Sequence, residues 1–251
     1  MHGDVPGVSS DDRIRFDSGT SGSRSRSSAP AGSTSSAGSA APAPAGRAAF
    51  RFAKRLFDIL FSLIVIVVGA IPLAVVCIVI VADSPGMPLY SQKRVGRGGR
   101  AMRIWKLRTM VADADDLACH LTPEQIDQWE REHKVDDDPR ITRVGCFLRS
   151  TGLDELPQFW SALKGDMSII GPRPITAGEL SWLGEDVDEY LSVRGGITGL
   201  WQVTDRNEAT WESGERKAIE LDYVRRASLA LDARIFISTF GVMFGADRTG
   251  R

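Results

Sequence analysis

From Ile59 to Ala82 the chain runs through apolar and small residues without a single charge. Roughly 20 such residues are enough to cross the hydrocarbon layer of a bilayer. A soluble core helix of this purity would be unusual, so the run predicts a membrane-inserted helix. A basic, partly amphipathic stretch, Arg51-Phe52-Ala53-Lys54-Arg55-Leu56-Phe57-Asp58, leads into it. Arg47, Arg51, Lys54 and Arg55 lie upstream. After Asp83 no acid occurs until Asp113, while Lys93, Arg94, Arg97, Arg100, Arg103, Lys106 and Arg108 all do. Positive charge favours the cytoplasmic side, and here both flanks carry it. Pro72, near the middle of the run, removes a helical hydrogen bond and bends the helix. A helix that enters, turns at Pro72 and returns to the same face satisfies both observations. A straight span with a mild proline kink is the alternative, and these residues alone do not choose between the two. Ser62 is the nearby polar side chain available to backbone groups freed at a bend.

Beyond the anchor the pattern changes to that of a mixed α/β body, rich in helix. Pro85-Gly86-Met87-Pro88 reads as a turn and Leu89-Tyr90-Ser91-Gln92 as a short strand. Gly96-Arg97-Gly98-Gly99 reads as a hairpin turn, and Met102 to Leu107 as the return strand. Residues 111–134 read as helical, with Thr122-Pro123-Glu124 as a helix start. Leu153 to Leu163 reads as a further helix stopped at Gly165, and residues 175–193 and 209–226 as mostly helical. Ser228 to Phe244 carries an apolar face with only Asp232 and Arg234 charged; it suits either the membrane interface or the domain core.

Composition adds boundaries. Residues 1–46 are dominated by Ser, Ala, Gly, Pro and Arg, and ordering them would cost entropy without burying a core. The division predicted is therefore a low-complexity, disordered tail (1–46), a membrane anchor (47–83) and a folded α/β domain (84–251). The formal net charge of -1 gives no global attraction to nucleic acid. Cys77, Cys119 and Cys146 show no close spacing. Cys119 and His120 are direct neighbours, which point apart on a helix, so neither a zinc site nor a disulfide framework is expected. His133 reads as a surface residue. The apolar run starts too late for a secretory signal and is expected to be retained.

Four segments could carry chemistry. In Arg149-Ser150-Thr151-Gly152-Leu153-Asp154-Glu155-Leu156-Pro157-Gln158, Pro157 belongs in a first helical turn, which predicts a helix start near Leu153. Asp154 and Glu155 would then lie beside unpaired backbone N–H groups that attract phosphate. One carboxylate there could attack phosphorus, and its neighbour could hold a divalent cation. The plain alternative is that both acids only favour the helix dipole, worth about 0.3–1 kcal/mol each. Adjacent helical residues diverge by about 100°, which permits two different roles at one site. In Gly165 to Pro174, prolines flank Arg173 and stiffen it; its guanidinium fork suits phosphate oxygens. Gly195 to Val203 allows close backbone approach. Lys106 and Arg108 alternate onto one strand face, as a solvated basic face or as a binder of phosphates.

Taken together these segments resemble the bacterial sugar transferase family, the monotopic polyprenyl-phosphate phosphoglycosyl transferases. The likeness runs from about Arg51 to Phe244. It shows the blocks in order: Lys54-Arg55-Leu56-Phe57-Asp58, Lys106-Leu107-Arg108-Thr109-Met110, Leu148 to Gln158, Gly165 to Pro174, and Gly196 to Val203. The resemblance implies a ping-pong reaction. Asp154 would attack the sugar-linked phosphate of a UDP-sugar, release UMP and hold a covalent phosphosugar, which polyprenyl (undecaprenyl) phosphate would then take. Glu155 would help bind Mg²⁺, Arg149 would hold a substrate phosphate, and Arg173 would contact the donor diphosphate. It further implies a re-entrant helix broken at Pro72, a cytoplasmic catalytic domain on the bacterial inner membrane and a role at the start of exopolysaccharide, capsule or other glycan assembly. Homo-oligomerisation is left open. Three departures stand out: Ile71 replaces the serine usual before the breaking proline, Arg194-Gly195-Gly196 replaces a Lys-Pro-Gly, and Arg226-Ala227-Ser228-Leu229 lacks the Trp usual before the last helix. The chain resembles the compact form of the family.

Overall fold

The computed structural model describes residues 44–132, 135–204 and 209–244. The low-complexity stretch up to residue 43, and His133, lie outside these. Helix α1 spans Pro44–Asp83, so it begins within what composition assigns to the tail. Pro72 is inside it, and the helix continues on both sides. Ser62 lies ten residues before Pro72, about 15 Å along the axis. It is buried and without a hydrogen-bond partner among the described residues, and at that distance it does not serve the backbone at the proline.

Exposure along α1 is uneven. Val68 and Ile71 are 72% and 78% exposed, and Leu63, Ile64 and Val67 are also open. Only 6% of the most apolar window is buried, unlike the core helix of a soluble domain. Both ends are nevertheless docked. Near the start, Lys54 Nζ donates to Asp232 Oδ2 at 2.6 Å, and Arg55 donates to the carbonyls of Ala162 and Leu163 at 2.6 and 2.7 Å. Asp58, 1% exposed, accepts the Ile169 N–H at 2.9 Å and the Ser168 hydroxyl at 3.0 Å. Near the end, Ile80 is buried with Leu107 and Leu148, and Leu73, Val76 and Cys77 pack on them.

The expected hairpin is present: β1 (Leu89–Val95) pairs antiparallel with β2 (Ala101–Leu107), with Leu89 opposite Leu107. The segment expected to be helical over 111–134, with a start at Thr122-Pro123-Glu124, holds two helices, α2 (Leu117–His120) and α3 (Pro123–Glu132), the second at that start. Thr122 and Gln125 cap α3 reciprocally, each side chain accepting the other's backbone N–H. Helix α4 (Arg143–Thr151) was not anticipated. Gly152 ends it in the left-handed region, with φ 71°. Gly145 lets α4 touch the preceding loop, because a Cβ there would sit 1.9 Å from the Thr109 carbonyl oxygen.

The helix expected from Leu153 is divided. Leu153–Glu155 forms a 3₁₀ turn, and α5 (Gln158–Lys164) starts only after Pro157. A helix begun at Leu153 would need the N–H of residue 157 for the Leu153 carbonyl, and proline has none. The chain instead uses short bonds, Leu156 N–H to Leu153 O and Trp160 N–H to Pro157 O, both 3.2 Å. Asp154 and Glu155 therefore precede α5 and do not occupy its first turn.

Strand β3 (Ser168–Ile170) follows. Where residues 175–193 were expected to be mostly helical, two 3₁₀ turns lead into the short α6 (Val187–Tyr190). Strand β4 (Gly196–Thr198) pairs parallel with β3, a pairing invisible in three-residue segments. Then come α7 (Leu200–Thr204), α8 (Glu215–Arg226) and α9 (Leu229–Phe244). Ile235 and Phe236 of α9 pack into the core around Ile169, Ile170 and Tyr223, while Ile237 and Phe240 stay open. A second cluster joins Val95 and Ile175 to Leu183, Tyr190 and Leu221.

Replacing Asp58 by Ala strands the Ile169 N–H and the Ser168 hydroxyl. Denaturant unfolding of the detergent-solubilised chain should show a loss of about 2 kcal/mol, with Asp58→Asn recovering part of it.

Candidate active site

A cavity of about 640 Å³ gathers side chains that are far apart in the chain. Its polar wall comes from Lys106, Thr109, Arg149, Asp154, Glu155 and Arg173. Thr198 and Gln202 line it as well. Phe61 and Val65 of α1, Phe159 of α5, and Phe236 and Phe240 of α9 form an apolar wall. The four segments singled out by sequence thus meet at one cavity.

Gly152 turns the chain at the end of α4, and the 3₁₀ turn after it delivers the two acids. Asp154 is 9% exposed. Lys106, near the end of β2, reaches both acids: its Nζ lies 2.8 Å from Glu155 Oε1 and 3.9 Å from Asp154 Oδ2. Burial, reinforced by the neighbouring Glu155 charge, pushes the Asp154 carboxyl above the ordinary carboxylate range, and Lys106 and Arg149 oppose that. Arg149 is held by its Nε–H donating to Thr109 Oγ1 at 2.8 Å. Its guanidinium is itself largely desolvated, which lowers its pKa.

Arg173 brings NH1 to 4.0 Å from Glu155 Oε1. Its loop is braced on every side. Glu220 Oε1 accepts the Arg173 N–H at 3.2 Å, the Tyr190 hydroxyl donates to the Arg173 carbonyl at 2.7 Å, and Arg94 donates to the Pro174 carbonyl at 3.2 Å. The Gly196 N–H donates to the Pro172 carbonyl at 2.8 Å. Gly196 is required there, since a Cβ would lie 2.2 Å from the Gly171 nitrogen.

Arg108 lines the cavity, but its guanidinium is spent on the turn after α1. It donates to the carbonyls of Ser84 and Pro85, the latter at 2.9 Å. It stands one residue past β2, and its backbone N–H donates to the Pro88 carbonyl at 2.8 Å. Glu220, Tyr190 and Arg94 escaped the sequence reading, because each acts through contacts across 17 to 80 residues and no local spacing marks them. Near the cavity rim, a turn carries Asp113 to Cys119 and His120. The three ligand-type atoms come within 4.8 Å of one another, closer than the neighbours-point-apart argument allowed. Asp113 and Cys119 are exposed, and among the described residues no fourth ligand closes that set.

An apolar anchor docked at both ends, with paired acids and arginines facing an aromatic wall, defines a domain suited to anionic groups at the edge of an apolar phase. The chain belongs to the bacterial sugar transferase family, whose model matches residues 49–246. It is 40% identical over 200 residues to the UDP-galactose-lipid carrier transferase of Erwinia amylovora and to the undecaprenyl-phosphate galactose phosphotransferase of Salmonella typhimurium. Each match covers 78% of this chain and 41% of the relative, so the chain spans about two fifths of the length of those relatives. The exopolysaccharide production protein ExoY of Rhizobium meliloti is 35% identical over 191 residues, covering 74% of this chain and 83% of that protein.

Lys106 offsets the mutual repulsion of the two acids. In Lys106→Met the Asp154 carboxyl should titrate at higher pH than in the unmodified chain, followed by ¹³C NMR of labelled aspartate. An unchanged or lower value would remove Lys106 from that role.

Proposed function

We propose that the chain transfers a sugar-1-phosphate from a UDP-sugar to undecaprenyl phosphate, as an early step of exopolysaccharide or related glycan assembly. The observation that carries this is the convergence of Asp154, Glu155, Arg149, Arg173 and Lys106 on one cavity with an apolar wall. The names of the family relatives point the same way.

In this mechanism an Asp154 carboxylate oxygen attacks the sugar-linked phosphorus. A P–O bond forms, the bond to the bridging oxygen breaks, and UMP departs with that oxygen and its electron pair. A phosphate oxygen of the lipid acceptor then attacks the same phosphorus, and the aspartyl oxygen leaves as the restored carboxylate. The product is a polyprenyl diphosphosugar. Asp154 must be ionised to act, so Lys106 and Arg149 supply the positive field that burial would otherwise make costly to do without. Arg149 and Arg173 hold substrate phosphates, one for the acceptor and one for the donor diphosphate.

Two neighbouring carboxylates offer hard oxygen donors of the kind Mg²⁺ takes alongside water and substrate phosphates. The acids raise each other's cost of ionisation, an arrangement a cation relieves, so the residues fit the ion. Glu155, with Asp154 beside it, would hold Mg²⁺, which when bound supplies charge neutralisation of the diphosphate.

The anchor is re-entrant in this reading. Asp58 and Cys77 are nineteen positions apart, about 28 Å along a straight helix, yet both lie against the same folded body. A helix that returns to its own side lets one body on that side touch both, which supports the re-entrant reading. With basic residues on both flanks, that side is the cytoplasmic face of the inner membrane.

Asp154→Asn should lower UMP release from UDP-sugar and undecaprenyl phosphate by roughly four orders of magnitude or more, and should abolish a phosphosugar adduct in intact-protein mass spectrometry. In the unmodified chain the acid limb of kcat should lie above the ordinary carboxylate range, because Asp154 is protonated as pH falls through its raised pKa. Substantial turnover of the Asn variant would exclude Asp154 as the nucleophile.

A further inference from the structure

Arg173 stands between two prolines, and side chains clamp both its backbone polar groups: Glu220 takes the N–H and Tyr190 serves the carbonyl. Glu220 is 1% exposed on α8. Its second carboxylate oxygen is also buried and has no hydrogen-bond partner among the described residues. The Arg216 guanidinium, one turn earlier on α8, acts on Glu220 through its charge. It is held between the faces of Trp201 and Trp211, 4.0 and 4.4 Å from their centres. A backbone clamp needs one acceptor, which a neutral amide would provide. It leaves the second anionic oxygen unexplained.

We infer that Glu220 is a positioning residue that tunes donor affinity: it fixes the loop through the Arg173 N–H, and its negative charge competes with a bound diphosphate for the field of Arg173. The inference rests on Arg173 as the donor-binding arginine. Burial pushes the Glu220 carboxyl up to about 7, so its charge changes within the range of an ordinary assay. The groups that face it are Arg173 on its loop, Tyr190 on α6, and Arg216 and Tyr223 on α8. Burial keeps both phenols neutral there, Glu179 acts on Arg216, and α7 contributes Trp201 but no ionisable side chain. Above the Glu220 pKa the competing anion is present and the donor binds less tightly. Below it the anion is gone and the donor binds more tightly, so donor binding takes up a proton.

The test uses the full chain in lipid nanodiscs with undecaprenyl phosphate. The donor is UDP-galactose, UDP-glucose or UDP-N-acetylgalactosamine, whichever is turned over best, and the folding of each variant is checked by circular dichroism. Between pH 6 and 8.5 the donor KM of the unmodified chain should rise roughly three- to tenfold. Glu220→Gln should hold KM flat near the acid value, with kcat within about twofold. Glu220→Ala, which loses the clamp as well, should raise KM at every pH. A pH dependence of KM that survives in Glu220→Gln, or is absent from the unmodified chain, overturns the inference. Arg173→Ala separates the two readings. If it leaves donor KM unchanged, Arg173 does not bind the donor and both fall. If it raises KM while Glu220→Gln titrates like the unmodified chain, only the role of Glu220 falls.

Discussion

The arrangement turns on one buried carboxylate at the mouth of the apolar helix. Asp58 is the last charge before the uncharged run, and a charge in that position is tolerable only when paired or hydrogen-bonded. Its oxygen is committed to the backbone N–H of Ile169 and the hydroxyl of Ser168, so β3 is tied to α1. Strand β3 in turn carries β4 at its edge and leads directly into the loop of Arg173. Lys54 and Arg55 add ties to Asp232 and to the end of α5. The anchor is therefore one wall of the cavity, and Phe61 and Val65 project into it from the turns that follow Asp58.

That placement sets the electrostatic problem of the site. An aromatic wall lowers the local dielectric, which makes an ionised Asp154 costly and strengthens whatever compensates it. Glu155 adds repulsion, and Lys106 and Arg149 offset it. Lys106 is shared unequally, closer to Glu155 than to Asp154. Lys106 therefore pairs more closely with Glu155, while burial and the Glu155 charge hold the Asp154 carboxyl above its ordinary range.

Much of this was legible in the sequence, and the misses have physical causes. The anchor, the β1–β2 hairpin and the α3 start were readable, since each rests on short-range signals: an uncharged run, a glycine-rich turn between alternating strands, and a Thr-Pro-Glu cap. The named acids and arginines were found as residues, and the structure gathers them. Their backbone setting was misread, because the missing N–H of Pro157 shortens the helix from its start. The β3–β4 pairing was invisible, as three residues carry no periodicity. Glu220 drew no separate reading within the helix expected over 209–226, because nothing local tells a buried acid from a solvated one. Arg108 looked equivalent to Lys106 by alternation, but the strand ends between them and the guanidinium closes the turn after α1.

In the proposed reaction the cavity would hold anionic groups against an apolar wall, where cations that cannot wander contribute most, because in low dielectric a displaced charge loses interaction steeply. Each cation here is fixed by a different device. Lys106 is set by strand register and its contact with Glu155, and Arg149 by the Thr109 hydroxyl across the close α4 approach that Gly145 permits. Arg173 is set by prolines on either side and by side chains bonded to its own backbone. Only the last device ties the cation to an acid that lies outside the cavity, on α8. On the proposed reading, a charge placed there would act on the arginine without contacting a bound molecule, so the hold on one phosphate would be adjusted while Asp154 and Glu155 stay untouched.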